Sequence, residues 1–228
     1  LSATVADPDH LRRYLVPQTT EEPRLSRLVI GKAGAPPQIS VLASEAHIPW
    51  SGHSGRHAVP EVMARVKAAR MAILFVNTRS QAELLFQELW RINDDNLPIA
   101  LHHGSLDANQ RRKVEAAMAA GKLRAVVATS TLDLGIDWGD VDLVIQMGAP
   151  KGVSRMQQRI GRANHRLDES STALLVPSNR FEVLECLAAR EAVAKGKQDG
   201  ETRRGGGLDV LAQHILGMAC AEPFDADE

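Results

Sequence analysis

The chain is poor in cysteine, in aromatic residues and in long apolar runs. Its 228 residues include only 2 Cys, 3 Trp, 1 Tyr and 4 Phe. Two cysteines, Cys186 and Cys220, are too few for a disulfide framework or a four-thiolate zinc site. With 4% aromatic residues, the composition argues against a protein that binds nucleic acid mainly by base stacking. The longest apolar runs have about five or six residues, whereas about 20 are needed to span a membrane.

An excess of charge of one sign is also missing. The chain has 27 Lys and Arg against 28 Asp and Glu, a formal net charge of −1. This balance excludes a wholly basic, histone-like nucleic-acid binder, but it is compatible with a local basic track. Residues 1–20 do not have the pattern of a signal peptide, and the few cysteines favour a reducing compartment. We therefore expect a cytoplasmic protein that is not in a membrane.

Two motifs that ATP-hydrolysing motors need are absent from this sequence. It contains no G-x-x-x-x-G-K-[ST] phosphate-binding loop and no DExH or DEAD tetrapeptide. A G-x-G-x-x-G motif that opens a helix after a strand is absent as well, which argues against a Rossmann-type cofactor enzyme. The first residue is Leu1, and it falls inside a motif considered below, so we expect this chain to be a piece of a longer protein.

Short apolar strands alternate with helices along most of the chain, which predicts a parallel sheet covered on both faces. The predicted strands are 27–30, 38–42, 72–76, 99–102, 125–128, 143–147 and 173–176. The predicted helices are 60–70, 80–91, 108–119, 153–160, 180–193 and 208–221, with a short helix capped by Asp7 near the start. Residues 49–58 are predicted to be a flexible connector. Because ligands of such sheets bind at the carboxyl ends of the strands, the polar residues that follow three strands are of interest: 77–79, 103–105 and 129–137.

The most informative stretch is arginine-rich and precedes the strand at 173–176. At helical spacing, Arg155, Arg159, Arg162 and Arg166 lie on one face. Four guanidinium groups on one face repel one another unless that face meets anions or water. Arginine binds phosphate through two parallel hydrogen bonds and stays charged at physiological pH. A solvated basic helix is the alternative that the spacing leaves open.

Five motifs in order resemble those of the second RecA-like domain of a superfamily 2 helicase. More narrowly, they resemble the large helicase-related (Lhr) family, in its DNA ligase-associated branch. The motifs are Leu1 to Thr4 (motif III), Ile73 to Arg79 (motif IV), Leu101 to Leu106, Thr129 to Asp137 (motif V) and Gln158 to Arg166 (motif VI). One such tripeptide occurs by chance in many proteins, but five in this order and spacing are highly specific. The resemblance implies an α/β fold, the parallel sheet of a P-loop NTPase-type helicase C-terminal domain flanked by helices.

The resemblance also implies three segments. Residues 1–23 would be the end of a first RecA-like domain and its linker, and residues 24–194 the second RecA-like domain. Residues 195–228 would be a linker and the start of a winged-helix domain. The segment 195–207 has no apolar residue, as expected of a linker. The amphipathic helix at 208–221 must pack on something, either that next domain or the core of this chain.

For ATP hydrolysis, the resemblance implies that this chain supplies the arginine finger. Arg162 would be the finger, with Arg159 and Gln158 beside the γ-phosphate, while Gly135 and Asp137 would approach the nucleotide. Asp137 could instead cap a turn. The implied cofactors are ATP and Mg²⁺, with the metal held by the first domain and no metal site in this chain.

One departure from the family pattern lies at the end of motif VI. Many superfamily 2 members have Gly-Arg where this chain has Asn164-His165, followed by Arg166. Whether Arg166 or His165 takes the part of the last motif arginine stays open. Asp133, at a position that is often charged in related motors, is assigned no role.

For nucleic acid, hydroxyl groups, backbone amides and one arginine at the strand ends suit contacts with the sugar-phosphate backbone, which carry no sequence information. Turn chemistry is the alternative for each residue alone. His102 and His103 are not expected to form a metal pair, because neighbours on a strand point to opposite faces. By resemblance, Ser2 and Thr4 would couple ATP hydrolysis to movement. The predicted track consists of Thr78, Arg79, His103, Gly104, Ser105, Thr129 and Ser130.

These observations favour an ATP-dependent DNA helicase or translocase. A 3′-to-5′ direction, a role in DNA repair, single-stranded or partly duplex DNA as substrate, and DNA ligase and nuclease partners are implied by the resemblance alone. The chain by itself is expected to be inactive, because it lacks a phosphate-binding loop. Two alternatives stay open. They are an RNA helicase and a nucleic-acid-binding or annealing module with a degenerate ATP site.

Overall fold

The computed structural model describes residues 5, 7–17, 24–31, 35–133, 141–163, 170–199, 207–222 and 225. Six strands and seven α-helices lie in these residues. The strands are β1 (Gln38–Val41), β2 (Ala72–Phe75), β3 (Ile99–His102), β4 (Ala125–Ala128), β5 (Leu143–Met147) and β6 (Thr172–Val176). The helices are α1 (Pro8–Tyr14), α2 (Val59–Ala68), α3 (Arg79–Arg91), α4 (Ala108–Ala119), α5 (Val153–Ile160), α6 (Arg180–Ala194) and α7 (Leu208–Ala221).

All six strands form one parallel sheet in the order β1-β6-β5-β2-β4-β3. Every residue of the inner strands β2 and β4 is buried. Such strands are continuously apolar because helices cover both faces of a parallel sheet. The predicted fold class, a RecA-like parallel sheet flanked by helices, is confirmed.

Two hydrophobic clusters cover the two faces of the sheet. Residues of α2 and α3, including Val62 and Leu85, form the first cluster. Residues of α4, α5 and α6, including Met118, Met156 and Cys186, form the second. Burial raises the pKa of the Cys186 thiol to about 12, so this cysteine is an uncharged packing residue. Helix α5, which carries the start of motif VI, packs in the second cluster.

One predicted strand is not formed. Residues 24–31 have no regular secondary structure, and Leu28, Val29 and Ile30 are 43%, 80% and 82% exposed. The edge of the sheet is instead occupied by β1, which pairs with β6. An isolated strand leaves its backbone groups unpaired, so a short apolar run without a neighbour does not become one.

The two terminal helices bury nothing among the described residues. In α1 the Asp7 carboxylate accepts from the amides of Asp9 and His10 at 3.1 and 3.2 Å, so Asp7 is the cap that the sequence predicts. The alternative that α7 packs on the core of this chain is wrong, because all its large apolar side chains are exposed. These are Leu208, Val210, Leu211, Ile215, Leu216 and Met218. No helix in the described ranges is long and apolar enough to cross a bilayer.

Candidate nucleotide and nucleic-acid site

Three polar loops follow the neighbouring strands β2, β4 and β3 at the carboxyl edge of the sheet. The Arg79 Nη1 after β2 donates to the Ser105 Oγ after β3 at 3.2 Å. The Thr129 amide after β4 donates to the His102 carbonyl at 3.3 Å. Gly104 and Ser130 are exposed beside them. The structure therefore brings the residues of the predicted nucleic-acid track together along one edge, except that the His103 side chain is buried and cannot contact nucleic acid in this conformation.

Arg79 is presented by a capping box at the start of α3. The Thr78 hydroxyl accepts from the Gln81 amide at 3.2 Å, and Gln81 Oε1 accepts from the Thr78 amide at 3.1 Å. This reciprocal pair fixes the turn and leaves 59% of the Arg79 side chain exposed. Glu83 lies 3.7 Å from Arg79 Nε, but an exposed ion pair of this kind is weak. The Arg79 guanidinium is thus held at the edge in a position that a phosphate can reach.

The two histidines at the end of β3 face different helices. His102 Nδ1 lies 2.8 Å from Thr131 Oγ1 and its Nε2 lies 3.1 Å from Glu115 on α4. His103 is buried next to α3, with Nε2 at 3.5 Å from Glu83 and no hydrogen bond to either ring nitrogen. The two rings therefore do not converge, in agreement with their adjacent positions on a strand. Burial places the His103 ring beneath the edge, while Gly104 and Ser105 are on its surface.

The segment after β4 links the edge to the interior. Thr129 is half-buried, and a 3-10 turn follows at Ser130–Leu132. The Thr131 hydroxyl also donates to the His102 carbonyl at 3.2 Å. Asp133 closes the turn and is only 5% exposed. A segment of five residues, 129–133, therefore runs from the exposed edge into the core.

Arg159 on α5 is buried and held by three groups. Its Nε donates to Asp133 Oδ1 at 2.8 Å, and its Nη1 donates to Gln146 Oε1 at 2.6 Å. Its guanidinium carbon lies 4.7 Å from the centroid of the Phe75 ring. Only 3% of Arg159 is exposed. In this conformation the Arg159 guanidinium is turned to the interior, so the direct γ-phosphate contact implied for it is closed.

The single basic face predicted for motif VI is not formed. Helix α5 ends at Ile160, so Arg162 lies in the turn that follows the helix. Arg155 is half-exposed and its Nε is 3.7 Å from Asp133, whereas Arg159 is buried against the same carboxylate. The mutual repulsion that the spacing predicts is relieved here by an acidic partner as well as by solvent.

Arg162 and Gln158 are both half-buried at the end of α5. The Arg162 Nε donates to the Gln158 carbonyl at 3.4 Å, and its amide donates to the Arg159 carbonyl at 3.0 Å. The next residue, Ala163, is fully buried, and its carbonyl accepts from Ser171 Oγ at 2.6 Å. The turn that carries Arg162 is therefore anchored on both sides.

Several predicted site residues lie outside the described residues. They include Ser2 and Thr4 of motif III and Gly135 and Asp137 of motif V. The Asn164-His165-Arg166 departure in motif VI lies outside them as well. The roles implied for these residues stay predictions.

Sequence reasoning missed two groups of residues. Asp133 and Gln146 hold Arg159, and the available signal was an acidic residue at the end of the short turn that follows the buried strand β4. The second group is the predicted connector 49–58, which is packed along the carboxyl edge. Its His53 Nδ1 lies 2.9 Å from the buried Glu182, and its His53 carbonyl accepts from Gln81 Nε2 at 2.9 Å. Nothing in a loop of mixed polarity indicates such contacts in advance.

The buried His102 predicts a loss of stability in mild acid. Burial lowers its pKa below the ordinary 6.5, the charges of Arg111 and His103 lower it further, and the bond with Glu115 opposes the shift. The unfolded chain then binds the proton more readily, so stability is lost as the pH falls from about 6.5 towards the lower folded pKa.

We therefore expect the free energy of unfolding in urea to decrease between pH 7 and pH 5. His102→Asn, which keeps a polar group near Thr131 but does not titrate, should make this decrease smaller. His10→Asn, on the exposed helix α1, is the matched control. Equal pH dependence in all three proteins would show that His102 is not coupled to folding.

Comparison with known proteins agrees with this geometry. Residues 56–166 match the helicase conserved C-terminal domain family. The chain is 35% identical, over its full length, to the Lhr helicase/probable uracil glycosylase of Mycolicibacterium smegmatis, of which it covers 17%. It is 37% identical, over 72% of its length, to the ATP-dependent helicase Lhr-Core of Methanocaldococcus jannaschii, of which it covers 19%. The structure of Mycobacterium smegmatis helicase Lhr bound to ssDNA and AMP-PNP matches 99% of this chain with a TM-score of 0.80 and 34% identity, and the chain covers 30% of it.

The fold, the motifs and these matches define the second RecA-like domain of a superfamily 2 helicase. Within that class the chain belongs to the Lhr helicase family, as a homologue of the C-terminal part of the Lhr helicase core. The family resemblance of the motifs is thereby confirmed. The chain spans less than a fifth of the length of the two curated relatives, at 17% and 19%.

Proposed function

We propose that this chain supplies the arginine-finger half of the ATP site, and part of the single-strand track, of an ATP-dependent DNA helicase or translocase. The observation that carries the proposal is the segment 129–133. Its first residues lie at the exposed carboxyl edge beside β3, and its last residue, Asp133, holds the buried Arg159 of α5. A change at the nucleic-acid edge is therefore linked, through one short turn, to the helix that precedes Arg162.

On the nucleotide side, Arg162 is the proposed γ-phosphate contact and Arg159 sets its position. ATP and Mg²⁺ complete the site, and the metal neutralises charge on the phosphates. We assign the metal to the phosphate-binding loop and acidic box of the proposed first RecA-like domain. Among the residues described here, no group of three His, Cys, Asp or Glu is arranged to hold a metal ion. A half-exposed arginine fits an anionic phosphate because its fork can donate two parallel hydrogen bonds.

On the nucleic-acid side, the proposed substrate is single-stranded or partly duplex DNA. The solved Lhr relative, which is bound to ssDNA and AMP-PNP, supports this choice. A 3′-to-5′ direction, a role in DNA repair, DNA ligase and nuclease partners and a cytoplasmic location are proposed from the motif resemblance. The three-segment division at residues 23 and 194 is proposed on the same ground.

The direct test is ATP hydrolysis by a full-length protein that contains this chain, called the parent here. We expect single-stranded DNA to stimulate hydrolysis more than RNA of the same sequence does, and a partial duplex to be unwound. Stronger stimulation and unwinding with RNA would favour the RNA helicase. DNA binding with no hydrolysis under any condition would favour the annealing module.

The chain alone is expected to show no ATP hydrolysis above background. The proposed finger acts only on a phosphate held by another domain, because an arginine finger stabilises the charge of a nucleotide that is already bound. Steady-state release of phosphate from purified chain measures this, with contaminating ATPases excluded by a second purification. Appreciable turnover by the chain would overturn the division of the site between two domains.

Substitutions at the carboxyl edge should weaken DNA binding by the parent without sequence preference. Arg79→Ala removes one exposed charge, so the salt slope of single-strand binding should fall by up to about one unit. Thr129→Val keeps the shape but removes a hydroxyl, and it should weaken binding and uncouple unwinding from ATP use. The loss should be similar on unrelated sequences, because backbone contacts do not specify bases.

The matched control is Arg70→Ala. Arg70 also has an exposed side chain, but it precedes β2 and so lies at the opposite edge of the sheet. We expect its salt slope to equal that of the unsubstituted parent. If Arg79→Ala and Arg70→Ala bind alike at every salt concentration, the track lies elsewhere in the parent.

A further inference from the structure

The amino end of α5 is capped by a residue that is distant in sequence, Asp199. Its N-cap residue, Gly152, provides no side-chain hydrogen bond, and the first amides of a helix need acceptors. The Asp199 carboxylate supplies one, because its Oδ2 accepts from the Ser154 amide at 2.8 Å. A negative charge at this end is also favoured by the helix dipole.

The contact is reciprocal and involves more than one side chain. The Asp199 amide donates to Ser154 Oγ at 3.2 Å, and that hydroxyl donates to Gln198 Oε1 at 2.8 Å. Gln198 Nε2 in turn donates to Gln157 Oε1, one turn further along α5. Two consecutive residues of the segment after α6 are therefore bonded to the first turns of α5.

Gly152 is shaped to admit this carboxylate. A Cβ atom at this position would lie 2.6 Å from Asp199 Oδ2, closer than real contacts allow. Its φ of +113° also lies where side-chain-bearing residues are strained. The backbone conformation favours glycine, and the absence of a side chain leaves room for the Asp199 carboxylate beside the first turn of α5.

The two sides of this contact lead to different parts of the molecule. Helix α5 carries Arg159 and continues into the turn of Arg162. Asp199 lies between α6, which ends at Ala194, and α7, which begins at Leu208. Helix α7 exposes its apolar side chains. The contact at Asp199 thus joins the arginine-bearing helix to the segment that leads to α7.

We propose that Gln198 and Asp199 form a clasp on the amino end of α5, and that Asp199 is a positioning residue for the arginines of the ATP site. The inference rests on the proposed function of Arg162. The clasp holds α5 in the register at which Arg159 meets Asp133 and Arg162 faces the nucleotide. Displacement of the segment that leads to α7 then alters ATP hydrolysis without any contact between that segment and ATP.

The clasp itself is tested in the isolated chain by hydrogen exchange. Asp199→Ala removes the acceptor of the Ser154 amide, so exchange at the start of α5 should become about five- to tenfold faster, as for loss of a helix cap. Asp199→Asn, which keeps an acceptor but loses the charge, should give an intermediate value. Glu185→Gln removes one carboxylate from the exposed surface of α6 and should leave exchange in α5 unchanged. Unchanged exchange in Asp199→Ala would show that there is no clasp in solution.

Positioning is tested in the parent by steady-state ATP hydrolysis with saturating single-stranded DNA. We expect Asp199→Ala to lower kcat by about five- to tenfold, with the KM for ATP and the DNA affinity within about twofold, because misplaced arginines cost transition-state stabilisation. Glu185→Gln should match the unsubstituted parent. Faster exchange at Ser154 with an unchanged kcat would overturn the positioning role. An unsubstituted parent with no ATP hydrolysis would overturn the proposed function, and the exchange experiment would still decide on the clasp.

Discussion

Arg162→Ala in the parent should lower DNA-stimulated ATP hydrolysis by about a thousandfold or more while leaving nucleotide affinity nearly intact. An arginine finger interacts most strongly with the charge that develops on the transferred phosphoryl group, so its loss appears in kcat rather than in binding. The turn of Arg162 is anchored by the buried Ala163 and by the bond of Ser171 to the Ala163 carbonyl. The substitution therefore removes a side chain from a turn that stays in place.

Two further variants show whether the effect belongs to the finger. Arg162→Lys should restore little activity, because a single ammonium group cannot replace the planar fork of arginine. Arg190→Ala removes an exposed arginine from α6 and should leave kcat unchanged. Binding of a fluorescent ATP analogue measures affinity separately. If Arg162→Ala keeps turnover within about threefold of the parent, Arg162 is an ordinary surface arginine and the finger lies elsewhere.

Asp133→Ala is expected to have the largest effect on stability. The Asp133 carboxylate is the negative partner of Arg159, and the two residues are only 5% and 3% exposed. Removal of the carboxylate leaves a buried guanidinium without a counter-charge, which costs about 3–5 kcal/mol. A domain of this kind has a stability of roughly 5–15 kcal/mol in total. Urea unfolding of the chain should therefore show a large decrease in the denaturation midpoint.

Asp133→Asn and a double variant separate charge from shape. Asp133→Asn keeps one acceptor for Arg159 Nε and should cost less than the alanine change, since the guanidinium stays hydrogen-bonded. Arg159→Met combined with Asp133→Leu removes both charges, and it should recover much of the lost stability. The same double variant in the parent should lose ATP hydrolysis despite this recovery, because Arg162 is no longer positioned. A cost below about 1 kcal/mol for Asp133→Ala would mean that the pair is exposed to water in solution.

The secondary structure of the core could be predicted because its signals are local. The apolar run of β2 and the capping pattern at Thr78 and Gln81 each depend on residues close together in sequence. The helix of motif VI was expected at 153–160 and is observed there. The strand predicted at 27–30 is not observed, because strand formation depends on a contact that is not local in sequence. A strand needs a neighbour to pair with, and no local pattern reports whether a neighbour is available.

In the candidate site, too, some features could be predicted from the sequence and others could not. Arg79, Ser105 and Thr129 each directly follow or lie close to the end of a predicted parallel strand, and such ends meet at one edge, so their proximity follows from sequence order. The exposure or burial of an arginine, by contrast, does not follow from sequence order. Arg159 and Arg162 are three residues apart and share one motif, yet only Arg159 lies over β2 within reach of Asp133 and Gln146.

The sequence by itself determined the class of fold, the family and the edge of the sheet where the polar residues collect, because periodicity and motif order are properties of the chain alone. Only the tertiary structure decided which arginine is buried and which is half-exposed at the end of the helix. It also decided that Asp199, 45 residues beyond Ser154 in the chain, caps α5. The physical reason is that burial and long-range hydrogen bonds depend on how separate elements pack, and many sequence-distant pairs could satisfy the same donor until packing selects one.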